Sequence, residues 1–461
     1  MSVLESLHAP LPAYLIETKA HDREFPLSHI ATPLPLVDRI HALDTTRGFA
    51  VLGILLMNIW SFAGPQPIYN YPIAAADWGG APLQTWALMH TLFEGSQRAL
   101  FSLLFGAGML LMVNRLGERT PGTGSAGIYY RRLGFLMLFG LFDMVVLLWP
   151  ADILFIYALC GLLLYPLRKL KPRNLLLLAL IVFSVQGGLR AMNWQKLTGL
   201  QAEYAAIQAN PALAASADEA TTKRMQEWEA IEANAHPDLD SPKIQESIRV
   251  TGRGAVGEFL VSKLKTSLIV LIFVGLKSMV LDSLGAMLVG MALLRAGVLT
   301  MTAAPRSYVL LMLLGYGIGL PLAVWETTTM ISSDFDPILK ARNLIHYDFR
   351  RMAVGLGHLG LILLFCRRYP HSWLATRIAA VGRMALSNYL GQSILCGLLF
   401  YTVGFGLYGR FTGYYLYLVV AGIWGIQIAF SNWWLRRYSF GPFEWAWKSL
   451  TYKQRQPLRR A

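Results

Sequence analysis

Polar residues inside apolar runs are where this chain can do chemistry, because a polar group in hydrocarbon persists only with a partner or a task. Leu43-Asp44-Thr45-Thr46-Arg47-Gly48 opens one such run, and Asn58 follows Arg47 by about three helical turns. His90 stands near the start of the next run, with Glu94 and Arg98 one and two turns further on. Imidazole moves protons near neutral pH, an amide donates hydrogen bonds, and a guanidinium holds anions. Each residue also has a structural reading. Asp44 is a good helix N-cap, Arg47 and His90 suit the membrane interface, and Glu94 with Arg98 has the spacing of an i,i+4 ion pair.

Further polar groups within apolar stretches are Asp143, Asp152, Asp282, His358, Asn388 and Gln392. Asp152 begins a run and is placed to cap it. His358 follows Gly355-Leu356-Gly357, where small residues permit close helix contact and an interhelical hydrogen bond. Asn388 and Gln392 share a helix face, as packing glue or as the lining of a cavity. Trp445 and Trp447, in a basic tail, read as an interfacial belt. Cys160, Cys366 and Cys396 lie within or at the edge of apolar runs, with no CxxC and no His/Cys ligand spacing, so neither a disulfide framework nor a metal site is expected.

The elements that must position these residues are transmembrane helices. The chain has 461 residues, 55% hydrophobic and 15% charged, with a mean hydropathy of +0.44. Runs such as 174–186 and 306–325 are Leu-rich and lack the alternation of barrel strands, so an all-α polytopic bundle is expected. Ten spans are expected, near 43–62, 86–113, 133–149, 152–168, 174–190, 278–298, 306–325, 351–366, 384–405 and 414–434.

Arg115, Arg119, Arg131 and Arg132 follow the second span, and Arg168, Lys169, Lys171 and Arg173 follow the fourth. Residues 63–85 and 149–152 contain no Lys or Arg. The charge rule then puts both termini in the cytoplasm of an inner membrane. Five parts follow: a cytoplasmic tail (1–37) that is not a cleavable signal, a five-span half (38–190), a helical extracytoplasmic loop (191–258), a second five-span half (259–434) and a basic tail (435–461). Residues 259–277 are expected to be interfacial or re-entrant. The net charge of +14 sits at the ends of apolar runs, which argues for lipid headgroups as partners and against nucleic acid.

The opening around Asp44 and Arg47 resembles the YeiB-like family of bacterial membrane proteins, a domain of unknown function. Four further stretches carry the resemblance: 100–108 (LFSLLFGAG), Asp152-Ile153-Leu154 with Tyr157, 381–390 (VGRMALSNYL) with Gln392, and 441–447 (GPFEWAW) with Leu450-Thr451. It spans roughly 39–452. That family is in turn distantly similar to membrane acyltransferases, including the lysosomal heparan glucosaminide acetyltransferase and bacterial sugar O-acetyltransferases. The sugar enzymes end the first helix in a histidine where this chain has Asn58, whereas the heparan enzyme has asparagine there and its histidine shortly after, where this chain offers His90.

The resemblance implies transfer of an acyl group, such as acetyl, to an envelope glycan or lipid-linked sugar. His90 would be the base, Asn58 the oxyanion donor, and Arg47 with Asp44 would meet an anionic donor such as acetyl-CoA, with no tightly bound cofactor. Glu94, Arg98, Asp152, Asn388 and Gln392 complete the candidate binding set. Family members often have Gly-Lys where this chain has Gly95-Ser96, so any role of that lysine is lost. The alternative is a transporter or exporter, whose pathway such polar residues would line.

Overall fold

The structure, a computed structural model, describes residues 40–75, 80–119, 125–210, 218–411 and 413–460. The expectations for residues 1–37 lie outside them. The described residues are predominantly helical and joined by turns, with one isolated antiparallel bridge between Tyr438 and Arg459.

The first half comprises α1 (His41–Ala63), the short α2 (Gln66–Asn70), α3 (Ala81–Phe93), α4 (Ser96–Arg119), α5 (Ser125–Val145), α6 (Leu154–Leu167) and α7 (Pro172–Ala209). Two helices, α8 (Glu219–Ala235) and α9 (Pro242–Arg253), form the hydrophilic insertion. The second half comprises α10 (Val256–Val270), a π-helical turn region (Leu271–Met279), α11 (Val280–Arg295), α12 (Pro305–Ser332), α13 (Pro337–Asn343), α14 (Tyr347–Arg368), α15 (Trp373–Arg383), α16 (Ala385–Phe400), α17 (Tyr415–Arg437) and α18 (Pro442–Tyr452).

Every expected span coincides with a helix, and the protein is an all-α polytopic membrane bundle. The count is smaller by strict criteria. Among the described residues, seven helical stretches are long and apolar enough to cross a bilayer. The expected spans at 133–149, 152–168 and 384–405 map to α5, α6 and α16, which fall outside those seven. At a rise of ~1.5 Å per residue, α6 reaches only ~21 Å and α16 ~24 Å. Each packs one face into the bundle and leaves apolar residues exposed on the other, Leu162 and Leu163 on α6 and Ile394 and Leu398 on α16. Residues 256–295 are helical throughout, α10 running through the π region into α11, with no reversal of the chain at 259–277.

Neighbouring helices alternate in direction, which gathers the basic residues at one end. There Arg295 reaches the Arg168 carbonyl, and Arg132 stacks on Trp447. At the opposite end Phe62 stacks on Trp149 at 3.7 Å between centroids, and Gly409 N–H donates to Ala63 O at 2.7 Å. The insertion packs onto this second end. Trp228 is buried, His236 Nε2 bonds the Asp334 carbonyl at 2.7 Å, and Thr402 N–H donates to Thr251 O at 2.8 Å.

Two helices meet unusually closely at the basic end. A Cβ on Gly382 would fall within bonding distance of Asp44 O, and one on Gly48 would do the same to Ile378 O. The α1–α15 crossing therefore exists only because both positions lack a side chain.

Candidate functional site

Asp44 and Arg47 lie in the first two turns of α1 and form an ion pair at 2.9 Å. Ile40, not Asp44, precedes the helix, and Asp44 makes no N-cap bond. Both line a cavity of about 300 Å³ at the basic end. Its deep wall is apolar, from Phe101, Leu104, Phe105, Met109, Leu136 and Leu154, and it ends at Tyr157. Its polar wall carries Arg47, Arg115, Arg132, Arg383 and Lys448 against the carboxylates of Asp44 and Glu444.

Helix α18 closes this cavity. Glu444 accepts from the Leu386 and Ser387 N–H groups at 2.7 and 3.0 Å and so caps α16 from another segment. Trp447 was expected at the lipid interface. It is buried instead, with Arg132 3.5 Å above its ring and its indole N–H donating to Arg132 O at 2.9 Å. The physical reason is that the chain after α17 folds back under the bundle, where the indole finds both a cation and an acceptor.

A second polar group of residues lies beyond Tyr157. The helix Ala81–Glu118 is broken at Glu94-Gly95, where Gly95 adopts φ +71°. A side chain at Gly95 would strike the Tyr347 hydroxyl. The carbonyls released near the break find partners: Leu92 O accepts from His358 Nε2 at 2.9 Å, and Glu94 O from Arg350 at 3.4 Å. This accounts for His358, which also bonds Tyr316.

The break turns the Glu94 carboxylate onto the hydroxyls of Tyr69 and Tyr347, at 2.8 and 3.0 Å. Glu94 and Arg98 have the spacing of an i,i+4 ion pair but do not form one, because the helix is interrupted between them. Arg98 pairs with Asp282 at 2.7 Å and reaches Tyr347 at 3.3 Å. Arg351 bridges Asp282 and Asp348, Arg190 also meets Asp348 at 2.9 Å, and Arg350 pairs with Glu326 at 2.7 Å. Four guanidinium groups thus face four carboxylates, and the balance of charge is what makes their burial tolerable.

The remaining candidates divide among three places. His90 is buried, stacked on Trp86 at 4.7 Å, and its Nδ1 bonds Thr327 at 3.1 Å. Its bond is to α12 and not to Asn58, and neither residue lines the 300 Å³ cavity. Asp152 caps α6 through Phe155 N–H at 2.8 Å and accepts from Tyr389 at 3.4 Å. Asn388 donates to Val381 O and Ser431, while Gln392 donates to Val51 O and Gln427. Both amides are therefore interhelical fasteners. Among the described residues, no group of three or more His, Cys, Asp or Glu side chains is placed to hold a metal ion.

Arg190, Glu326, Tyr347, Asp348, Arg350 and Arg351 were absent from the sequence-based set. A signal was there: Arg350 and Arg351 stand at the end of the 351–366 span that the charge rule assigns to the outside, where it wants no cation.

A family described as "Protein of unknown function (DUF418)" matches residues 293–454. YxaH of Bacillus subtilis strain 168 is 28% identical over 91% of this chain and 96% of its own length. YeiB of Escherichia coli K12 is 30% identical over 91% of this chain and 98% of its own length. Both carry the description "uncharacterized protein". No solved structure matches. Identity at that level over nearly the full length of both proteins leaves one conclusion: the chain belongs to the YeiB-like, DUF418 family of polytopic membrane proteins.

Proposed function

We propose that the protein transfers an acyl group, acetyl in the simplest case, from a cytoplasmic thioester such as acetyl-CoA to a hydroxyl of an envelope glycan or lipid-linked sugar. The observation that carries this reading is the cavity at the basic end: cations at one wall, an apolar deep wall, and Tyr157 at its limit. An amphiphilic phosphorylated donor needs that combination, with guanidinium groups for phosphates and an apolar channel for the arm.

From Tyr157 a polar line continues outward. Its hydroxyl bonds Ser102 at 2.6 Å and Arg98 O at 3.3 Å. Arg98 leads to Tyr347 and Glu94, and His90 lies one turn beyond. In the transfer step the acceptor hydroxyl attacks the thioester carbonyl and its proton passes to His90. The carbon–oxygen bond forms, the carbon–sulfur bond breaks, and the thiol leaves with the proton. In the tautomer whose Nδ1–H donates to Thr327, Nε2 carries the lone pair that accepts the proton. Arg47 binds the donor and takes no part in bond making.

The test uses the full-length protein in proteoliposomes with labelled acetyl-CoA, following release of free thiol and label in glycan. His90→Ala is expected to cost ~10²- to 10⁴-fold in kcat. Arg47→Gln is expected to raise the KM for the donor and leave kcat within a few-fold. Absence of both coenzyme A binding and thiol release in the wild type would overturn the reading.

A further inference from the structure

A second hollow, of about 890 Å³, opens at the basic end on the side of α15 and α17 away from Phe101. Three separate segments supply its cations: Arg377 and Arg383 from α15, Arg436 from α17, and Arg460 from the tail. Among the residues lining it the sole carboxylate is Asp44, already paired with Arg47. His41, from the start of α1, also faces it.

Arg460 is delivered there by local structure. Ser439 N–H donates to Leu458 O at 2.8 Å, and Arg460 N–H to Arg437 O at 3.1 Å, so the tail is pinned antiparallel to the end of α17. Asn432 in turn donates to Arg377 O at 3.3 Å, tying α17 to α15 beneath the hollow.

The same two helices also carry exposed apolar surface. Trp373, 68% exposed, stands at the start of α15 with the Arg377 guanidinium 4.7 Å from its ring centroid. Along α17, Ile426, Phe430 and Trp433 are exposed at i, i+4 and i+7, one apolar stripe, with Arg437 over Trp433 at 5.0 Å. A soluble phosphate has no use for such a stripe. A phospholipid does, because its headgroup and its chains occupy the two adjacent surfaces at once.

We infer that this hollow is a binding site for the headgroup of an anionic phospholipid, of the phosphatidylglycerol and cardiolipin class, with its acyl chains along α17. The guanidinium groups hold the phosphodiester oxygens, and Trp373 marks the glycerol level. The hollow shares Arg383 and Asp44 with the wall of the 300 Å³ cavity, but the inference does not rest on the acyl-transfer reading, since Arg436, Arg460 and Trp373 line the hollow alone and His90 has no part in it.

The experiment is native mass spectrometry of the full-length protein in detergent, with added tetraoleoyl cardiolipin, dioleoyl phosphatidylglycerol or dioleoyl phosphatidylethanolamine. Arg436 and Arg460 are exposed, so the double variant R436Q/R460Q should match the wild-type melting temperature in lipid-free detergent. It is expected to lose roughly 10- to 30-fold in affinity for the first anionic lipid bound, at about a kcal/mol per cation, with phosphatidylethanolamine unaffected. In the wild type, anionic lipid should raise the melting temperature, and in the variant it should not. Equal retention of anionic lipid by both proteins would overturn the site. So would binding of coenzyme A or inorganic pyrophosphate that depends on these two arginines while phospholipid binding does not.

Discussion

Arg351 has no solvent exposure and touches two carboxylates, Asp282 and Asp348. Removing it leaves two buried negative charges short of a partner, so Arg351→Leu is expected to cost about 3–5 kcal/mol. The check is the yield of monodisperse protein and its melting temperature in detergent. Arg351→Lys should recover little, because an ammonium lacks the fork that reaches both acids. Asn388 and Gln392 act at the same scale without charge. Replacing both with Leu strips Gln427, Ser431 and Val51 O of partners, at roughly 1–3 kcal/mol for each buried group left unsatisfied. A melting temperature unchanged by that double replacement, together with lost transfer activity, would reassign the pair from fastening to function.

Helix crossings depend on residues with no side chain at all. At α1–α15 the backbones touch at Gly48 and Gly382, and the cavity residues Asp44, Arg47 and Arg383 sit on either side of that contact. Gly382→Ala must push the helices apart, and overpacking of this kind costs about 1–3 kcal/mol. The expected outcome is a lower melting temperature together with weaker donor binding. Gly317→Ala serves as the control, since a Cβ there meets nothing within 4 Å. The break at Glu94-Gly95 is the other crossing-level device. A straight helix would carry Glu94 away from Tyr69 and Tyr347, and a broken helix at membrane depth is tolerated where its freed backbone is buried among protein partners, as Leu92 O and Glu94 O are here.

At the scale of the whole molecule, the separation of basic and non-basic ends predicts an orientation. Reporter fusions after Gly79, Gly124 and Pro237 are expected to read outside, inside and outside, respectively. An inside signal at Pro237 would put α8 and α9 in the cytoplasm, invert the bundle, and remove the cytoplasmic donor from the cavity at the basic end. The packing of α8 and α9 onto the end opposite the basic one, through Trp228, His236 and Thr251, places them at the end of the bundle nearer His90. In the acyl-transfer reading they cover the face from which the acceptor enters.

The helices, their apolar faces and the basic end were legible in the amino-acid order, because hydrophobic runs and loop charge act locally and leave a local trace. The same holds for the basic cavity wall at Asp44 and Arg47, which sit together on one turn. Only the tertiary structure decided which charges meet. Arg98 and Asp282 are 184 residues apart and Arg350 and Glu326 belong to different helices, so their pairing depends on crossing angles that no local pattern encodes. For the same reason His90 faces Thr327 and not Asn58. Both residues lie toward the same end of consecutive spans, as hydropathy indicates, but the azimuth of each helix is set by packing against all its neighbours. Burial of charge in lipid then fixes the arrangement, since each ion must find its counterpart inside the bundle.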